Sequence, residues 1–292
     1  MFADLQFAMV LAGVHVSIAG GIANAVDRAV ERGCDVFQIF SRNPRGWKYK
    51  DLEMKDIKSF IERLEKSNIG PAFDHMPYLP NLASSREEVH SKSVDTLTSE
   101  LLRCGQLHIP YLVTHLGSHL GSGRRTGLKR IVEAIATSIS KADNSVILLL
   151  EITAGTKNSM GGSFDDMAAI IDALDSKRLG ICLDTCHLFA AGYELRTKEG
   201  LNQTFKEFDQ TIGLEILKLV HLNDSKGALG SGLDRHEHIG LGMIGANGFK
   251  ALLGHEKIGD LPMILETPID SRRDDIGNLE VVRELSTSPS PS

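Results

Sequence analysis

Ile181-Cys182-Leu183-Asp184-Thr185-Cys186-His187 is the stretch that decides the fold. Its first half is apolar and β-prone and reads as a buried strand. Its end changes abruptly to a carboxylate, Asp184, with an imidazole three residues later at His187. An unpaired charge where a buried strand ends is costly. A bound dication is one of the few partners that satisfies both groups, so the question is whether other strands end the same way.

On the N-terminal side, residues 9–16 read as a short apolar strand ending at His15. Ile22, Ala25, Val26, Ala29 and Val30 follow at helical spacing, and Gly33 stops that helix. Residues 34–40 are the next strand. The polar loop Ser41-Arg42-Asn43-Pro44-Arg45-Gly46-Trp47-Lys48 and an amphipathic helix over 53–66 come after it. Residues 69–73 run as a strand into Asp74-His75. Ser84 and Ser85, with Glu87 and Glu88 three residues on, predict a capping box for a helix carrying Val89, Leu97, Leu101 and Leu102. Residues 109–114 form a strand ending at His115. A glycine-rich loop over 117–123 leads to a helix with Leu128, Ile131, Val132, Ile135 and Ile139.

Residues 145–150 are the most apolar strand and end at Glu151. Ser163 and Asp166 cap a helix with Met167, Ile170, Ile171 and Leu174, and the opening strand spans 178–183. Past the His187 loop come a helix over about 199–211 and a strand over 217–220 ending at His221. A long loop then holds Asp234 and His236. A short helix near 245–253, a strand over 261–265 ending at Glu266 and a last helix over about 273–285 complete the pattern. This alternation, repeated eight times with no compositional break, predicts a parallel sheet. At 292 residues it fits a single-domain α/β protein, a (β/α)8 TIM barrel over residues 1–285. The low-complexity tail Ser286-Thr287-Ser288-Pro289-Ser290-Pro291-Ser292 is expected to be disordered.

Hydrophobic content of 42% and charged content of 24% are ordinary for a soluble globular protein. Nothing approaches the ~20 apolar residues needed to cross a bilayer, so no membrane is expected. Residues 1–13 carry Asp4 and no basic segment, which predicts no signal peptide, and Met9 is an alternative start. Cys34, Cys104, Cys182 and Cys186 show no pairing pattern and predict a reducing, cytoplasmic setting. A net charge of −6 and a pI near 6.0 exclude a protein basic all over. They leave nucleic acid open, because bound cations cancel carboxylate charge locally.

In such a barrel, sites gather at the carboxyl ends of the strands. There stand His75, His115, Glu151, Asp184, His221 and Glu266, with His187 just past one strand. Asp234 and His236, two apart, fall on one side of an extended loop. A lone loop histidine is more often a surface or capping residue, and His90, His108 and His255 are given no function. The same coincidence on strand after strand is what chance does not supply. Five imidazoles and four carboxylates are too many for one ion and suit two or three. Mixed ligation suits Zn²⁺, with Mn²⁺ or Fe²⁺ as alternatives, and clustered ions suit in-line displacement at phosphorus. Cys186, between two of these residues, reads as a buried structural thiol. The loop from Arg42 to Lys48 joins three cations to Trp47, and Tyr78 lies three residues past His75. Cationic and aromatic side chains on one rim suit a distorted nucleic acid.

Together these residues resemble the endonuclease IV family of abasic-site DNA repair nucleases. The likeness runs from Gly13-Val14-His15-Val16-Ser17 to Leu265-Glu266-Thr267. It is strongest over Leu183-Asp184-Thr185-Cys186-His187-Leu188-Phe189-Ala190-Ala191-Gly192-Tyr193. Next come His221-Leu222-Asn223-Asp224-Ser225-Lys226 with Asp234-Arg235-His236, then His115-Leu116-Gly117-Ser118-His119. The resemblance implies a trinuclear zinc site held by His75, His115, Glu151, Asp184, His187, His221, Asp234, His236 and Glu266. It implies cleavage 5′ to abasic sites in double-stranded DNA, leaving a 3′-hydroxyl and a 5′-deoxyribose phosphate, and trimming of blocked 3′ ends. It also implies bent DNA with the abasic nucleotide flipped out and the gap filled, by position, by Arg45 and Tyr78. Asn43, Trp47, Lys226 and Arg235 are further DNA-contact candidates.

On this reading Glu151 bridges two ions, and His187, Asp234 and His236 hold the third. Glu151, His187 and Glu266 are the catalytic candidates. The chain departs from the family pattern at Ile152 and Leu116, where Asn and Pro are usual, and at Thr156-Lys157-Asn158-Ser159. A monomer is expected. The competing readings are a metal-dependent sugar isomerase or epimerase, and a binder of abasic DNA that does not cut it. The surplus of candidate ligands and the cationic rim weigh against the first. The complete ligand set weighs against the second.

Overall fold

Alternate side chains of a strand point to opposite faces, and here that alternation separates what fills the barrel from what caps it. The computed structural model describes residues 10–287. The alternative start at Met9 and the tail beyond Thr287 lie outside the described residues. The strands in chain order are β1 (Ala12–Val14), β2 (Phe37–Ile39), β3 (Ala72–His75), β4 (Tyr111–Thr114), β5 (Ile147–Glu151), β6 (Leu179–Asp184) and β7 (Leu217–His221). Then come a small antiparallel pair, β8 (Asp224–Ser225) and β9 (His236–Glu237), and finally β10 (Met263–Leu265). Eight of them pair in parallel in the order β1-β10-β7-β6-β5-β4-β3-β2. A bridge between His15 and Gln38 joins the two ends and rounds the sheet into a barrel.

Val36, Phe73, Val113, Leu149, Cys182, Leu219 and Ile264 form one buried cluster, which fills the barrel interior. Gly13 takes the equivalent place on β1, where a Cβ would lie 1.6 Å from the Val36 carbonyl oxygen. Two residues further along, the same inward face presents His15, Gln38, His75, His115, Glu151, Asp184, His221 and Glu266. The outward-facing residues, among them Ile39, Leu112, Leu148, Leu150, Ile181 and Leu183, join a second and larger cluster under the helices. Those helices are α1 (Asn24–Glu31), α2 (Met54–Ser67), α3 (Glu87–Gln106), α4 (Arg124–Ala142), α5 (Phe164–Leu174), α6 (Thr185–Ala191), α7 (Lys198–Thr211), α8 (Gly245–Leu253) and α9 (Asp275–Thr287). Among the described residues no helix is long and apolar enough to cross a membrane.

Four local expectations change. The capping box at Ser84 does not form: α3 starts at Glu87 with Arg86 as its uncapped N-cap. Ser84 is fully buried, and its hydroxyl instead accepts the Arg86 amide at 3.1 Å in a local turn. Ser163 does cap α5, accepting the Asp166 amide at 3.2 Å. The segment after Asp184 is helix α6 rather than a loop, capped by Asp184 itself and ended by Gly192 at φ 109°. The long loop after His221 contains the β8–β9 pair. Ser286 and Thr287, expected in the disordered tail, are the last residues of α9.

Leu149 is fully buried in the interior cluster. Leu149→Ala is expected to cost about 2–5 kcal/mol by denaturant unfolding. A loss below about 1 kcal/mol would contradict a filled barrel interior.

Candidate metal centre

Glu151 ends β5 in the middle of the inward-facing layer, 1% exposed. Each of its oxygens faces two imidazoles. Oε2 lies 3.0 Å from His75 Nε2 and 3.4 Å from His115 Nε2. Oε1 lies 3.3 Å from His187 Nδ1 and 3.4 Å from His221 Nδ1. On one flank, His221 Nδ1 is 3.4 Å from Glu266 Oε2. On the other, His187 Nε2 is 3.2 Å from Asp234 Oδ1, and His236 Nε2 stands 3.5 Å from Asp184 Oδ2 and 3.6 Å from Asp234 Oδ1. All nine residues singled out in the sequence meet at one end of the barrel. Eight of them fall into groups tight enough to hold a metal ion, among them His75–His115–Glu151, Glu151–Asp184–His221 and His187–Asp234–His236.

The imidazoles are aimed from outside the layer. His75 Nδ1 donates to the Met76 carbonyl at 2.7 Å, which leaves Nε2 facing inward. His187 Nδ1 donates to the Ile152 carbonyl at 3.0 Å, and His236 Nδ1 to the Glu266 carbonyl at 3.0 Å. His221 is turned the other way, since its Nε2 donates to Gln38 Oε1 at 2.9 Å and its Nδ1 faces inward. Such outer bonds fix both tautomer and ring orientation at metal sites. Gln38 also donates to Glu266 Oε1 at 2.8 Å. Asn223 holds Asp184, donating to Oδ2 at 2.7 Å.

His221 Nδ1 and His236 Nε2 are buried and make no hydrogen bond. A buried nitrogen without a partner is costly. Both stand 3.4–3.6 Å from two carboxylate oxygens. Two ligand atoms each about 2.1 Å from a tetrahedral zinc lie roughly 3.4 Å apart. The donor set and its spacing therefore fit divalent ions.

Carboxylates and imidazoles face one another throughout the layer. Burial opposes ionisation of Glu151, but the surrounding histidines outweigh it and hold its pKa well below the carboxylate range. Burial likewise opposes Glu266, and His221 pulls its pKa down. Asp234 is lowered by its bond to His187. Burial works against a proton on His187, yet Asp184 and Asp234 raise its pKa well above the usual value. At His75, Glu151 outweighs burial in the same direction. At His221 burial is again overcome. We assign that rise to Glu266 and Glu151, because burial pushes the neighbouring Cys182 thiol up to about 12 and leaves it uncharged. At His115 burial wins and lowers the pKa. Cys186 groups geometrically with Asp184 and His236. Burial and Asp184 push it up to about 11, which keeps it a thiol.

The layer floors a cavity of about 320 Å³ walled by Phe40 and Tyr78. Tyr78, 61% exposed, sits edge-on to Phe40 at 5.0 Å. Its amide donates to the Pro44 carbonyl at 3.1 Å, tying its loop to the one that carries Arg45. Asn43 and Arg45 are exposed there, and the Asn43 side chain accepts the Arg45 amide at 3.1 Å. Trp47 is turned toward α3, with Lys92 Nζ 5.9 Å from its ring. Lys226 and Arg235 are exposed beside the β8–β9 pair, joined by a 2.9 Å backbone bond. Ile152 and Leu116 are fully buried in the core, where the Ile152 carbonyl accepts His187 Nδ1 and the Leu116 carbonyl accepts the Ala83 amide. Sequence reasoning missed Gln38 and gave His15 no role. His15 Nδ1 lies 3.1 Å from Gln38 Nε2 and 3.8 Å from Glu266. Both occupy the same inward register as the candidate ligands, which was the available signal.

Gln38→Ala frees both His221 and Glu266 and is expected to weaken zinc binding by about 10–100-fold in a chelator competition. Unchanged affinity would remove Gln38 from the centre. The raised imidazole pKa values give a second expectation. A group whose pKa is raised keeps its proton to higher pH, and a metal ion must displace that proton. Zinc affinity should therefore fall as pH is lowered, with proton release visible by calorimetry in buffers of different ionisation heat. Affinity independent of pH would contradict this.

Comparison with known proteins points the same way. A family model described as a xylose isomerase-like TIM barrel matches residues 26–285. A protein of Methanoculleus marisnigri named probable endonuclease 4 is 57% identical over 280 residues, 95% of this chain and 99% of that one. The crystal structure of endonuclease IV from Thermus thermophilus superposes with a TM-score of 0.85 at 36% identity, covering 94% of this chain and 98% of that one. A D-tagatose 3-epimerase-like protein superposes with a TM-score of 0.71 at 23% identity over 94% of this chain and 96% of its own, a likeness of fold alone. At such identity over nearly its whole length, the chain belongs to the endonuclease IV family, built on the xylose isomerase-like TIM barrel.

Proposed function

We propose that this chain is a DNA repair endonuclease that hydrolyses the phosphodiester 5′ to abasic sites in duplex DNA. The products are a 3′-hydroxyl and a 5′-deoxyribose phosphate, and the same site trims blocked 3′ ends. Its cofactor is zinc, three ions per chain, with Mn²⁺ as a substitute. The observation that carries the reading is the layer around Glu151, in which both carboxylate oxygens face paired imidazoles and two buried histidine nitrogens have no hydrogen-bond partner. Its relatives named endonuclease 4 supply the substrate class.

Divalent ions in such a layer supply Lewis acidity, lowering the pKa of water and offsetting charge on a phosphate under in-line attack. The chain's own groups set the geometry. Glu151, held ionised by its histidines and grouped both with His75 and His115 and with Asp184 and His221, would serve as a ligand to more than one ion. His187, Asp234 and His236 form a separate group to hold the third. Glu266 is 21% exposed against 1% for Glu151. Lining the cavity beside His221, it would serve both as a ligand and as a proton acceptor. Tyr78 and Arg45, on loops tied by the Pro44–Tyr78 bond, fill the space of a nucleotide turned out of the stack. Four free, buried cysteines fit a reducing cytoplasm, and we read the working form as a monomer.

A duplex carrying one tetrahydrofuran abasic analogue tests the reading, because the analogue blocks β-elimination and only hydrolysis can cut it. Incision 5′ to the analogue, lost on prolonged chelation and restored by zinc, is expected. Turnover of a ketose by the zinc-loaded protein, with no incision, would favour a sugar epimerase instead. His187→Ala is expected to lower kcat by about 100-fold with DNA affinity within about threefold. An equal loss in both would take His187 out of the transition state.

A further inference from the structure

Beneath the loop over residues 41–50 lies a cluster of buried charge that the metal centre does not use. α3 contributes Glu100 and Arg103, 0% and 5% exposed, and the loop contributes Ser41 and Arg42, 2% and 5% exposed. Arg103 holds the loop at both ends. Its Nη1 donates to the Lys50 carbonyl at 3.1 Å, its Nη2 donates to the Ser41 carbonyl, and its Nε donates to the Ser41 hydroxyl at 2.9 Å. That hydroxyl donates in turn to Glu100 Oε2 at 2.7 Å. Glu100 Oε1 lies 2.9 Å from Arg42 Nε, an ion pair without hydrogen-bond geometry, and the Arg42 guanidinium lies 4.2 Å above the ring of Tyr49. The Ser41 amide donates to Asp74 Oδ1 at 2.8 Å, and the same oxygen accepts the His75 amide at 3.0 Å.

Burying two acids, Glu100 and Asp74, and two guanidinium groups carries a large desolvation cost, and apolar side chains of similar volume often hold a protein together as well or better. What this arrangement does, and an apolar patch cannot, is fix two distant carbonyls and a hydroxyl of one loop against a single turn of helix. A guanidinium supplies that fork; an ammonium does not. The loop so fixed is the one that carries Asn43, Arg45 and Trp47, and through the Pro44 carbonyl it also holds the backbone of Tyr78.

We propose that Arg103 and Glu100 are positioning residues that hold loop 41–50 in its DNA-ready form, a role that rests on the nuclease reading above. A loop ordered beforehand loses less conformational freedom when DNA arrives. Releasing it weakens DNA binding and leaves the chemistry at the metal centre unchanged.

The test uses the zinc-loaded chain and Arg103→Lys, which keeps the charge and loses the fork. Three readouts are taken: amide hydrogen exchange, kcat and KM on the tetrahydrofuran duplex, and hydrolysis of bis(p-nitrophenyl) phosphate, a diester too small to reach the loop. The expected result is faster exchange confined to residues 41–50, KM raised about tenfold, and kcat and small-diester hydrolysis within about threefold of wild type. Wild-type exchange at 41–50, or faster exchange with unchanged KM, would overturn the positioning role. So would an equal loss on both substrates. Should Arg103→Lys fail to fold, Ser41→Ala removes one junction of the network and carries the same expectations. Failure of the wild-type chain to cut the duplex would sink the nuclease reading itself, and the exchange data would still report whether the clamp orders the loop.

Discussion

The mouth of the barrel depends on one carboxylate buried among four imidazoles. Glu151 at such depth would be strongly disfavoured alone. It stays ionised because His75 and His115 face one oxygen and His187 and His221 the other. The histidines are equally dependent on what lies behind them. Backbone carbonyls of Met76, Ile152 and Glu266 and the amide of Gln38 each take one imidazole N–H and turn the other nitrogen inward. Three of these acceptors directly follow strand ends and the fourth, Gln38, lies within β2, so the sheet itself sets how the imidazoles are presented.

The sheet presents it through a spacing of two residues. Val36, Phe73, Val113, Leu149, Cys182, Leu219 and Ile264 fill the interior, and the residue two further on in each case faces the site. A packed core and a polar layer are thus set by one alternation. This explains how much could be read from the chain alone. His75, His115, Glu151, Asp184, His221 and Glu266 were legible because each breaks an apolar run with a group that is costly to bury. Gln38 stands in the same register but carries no charge, so its strand shows no such break. His15 was seen at its strand end, yet nothing in the sequence tells that it reaches Gln38. Helix α6 was hidden by the chemistry at its start, although Asp184 as cap and Gly192 as stop were both present. The β8–β9 pair, two residues a side, is shorter than any periodicity can reveal. The cluster of Ser41, Arg42, Glu100 and Arg103 was invisible for another reason. Ser41 lies 59 positions from Glu100 and 62 from Arg103, and the charged members read locally as solvated groups on a loop and a helix.

The barrel by itself does not choose a reaction. A D-tagatose 3-epimerase-like protein shares it at a TM-score of 0.71. What marks this chain is the crowding of candidate ligands at one end of the barrel, together with a rim where two loops are tied at Pro44 and Tyr78. A small sugar needs neither the surplus ligands nor a cationic, aromatic wall. The proposed substrate, a phosphodiester in duplex DNA, would use both.

The most direct measurement is the number of zinc ions held by the folded chain, counted by native mass spectrometry for the wild type and for Glu151→Gln. The account predicts more than one ion on the wild type and the loss of more than one on the variant, since Glu151 is read as shared between ions. A single ion on the wild type, or a full complement on a folded Glu151→Gln, would contradict it.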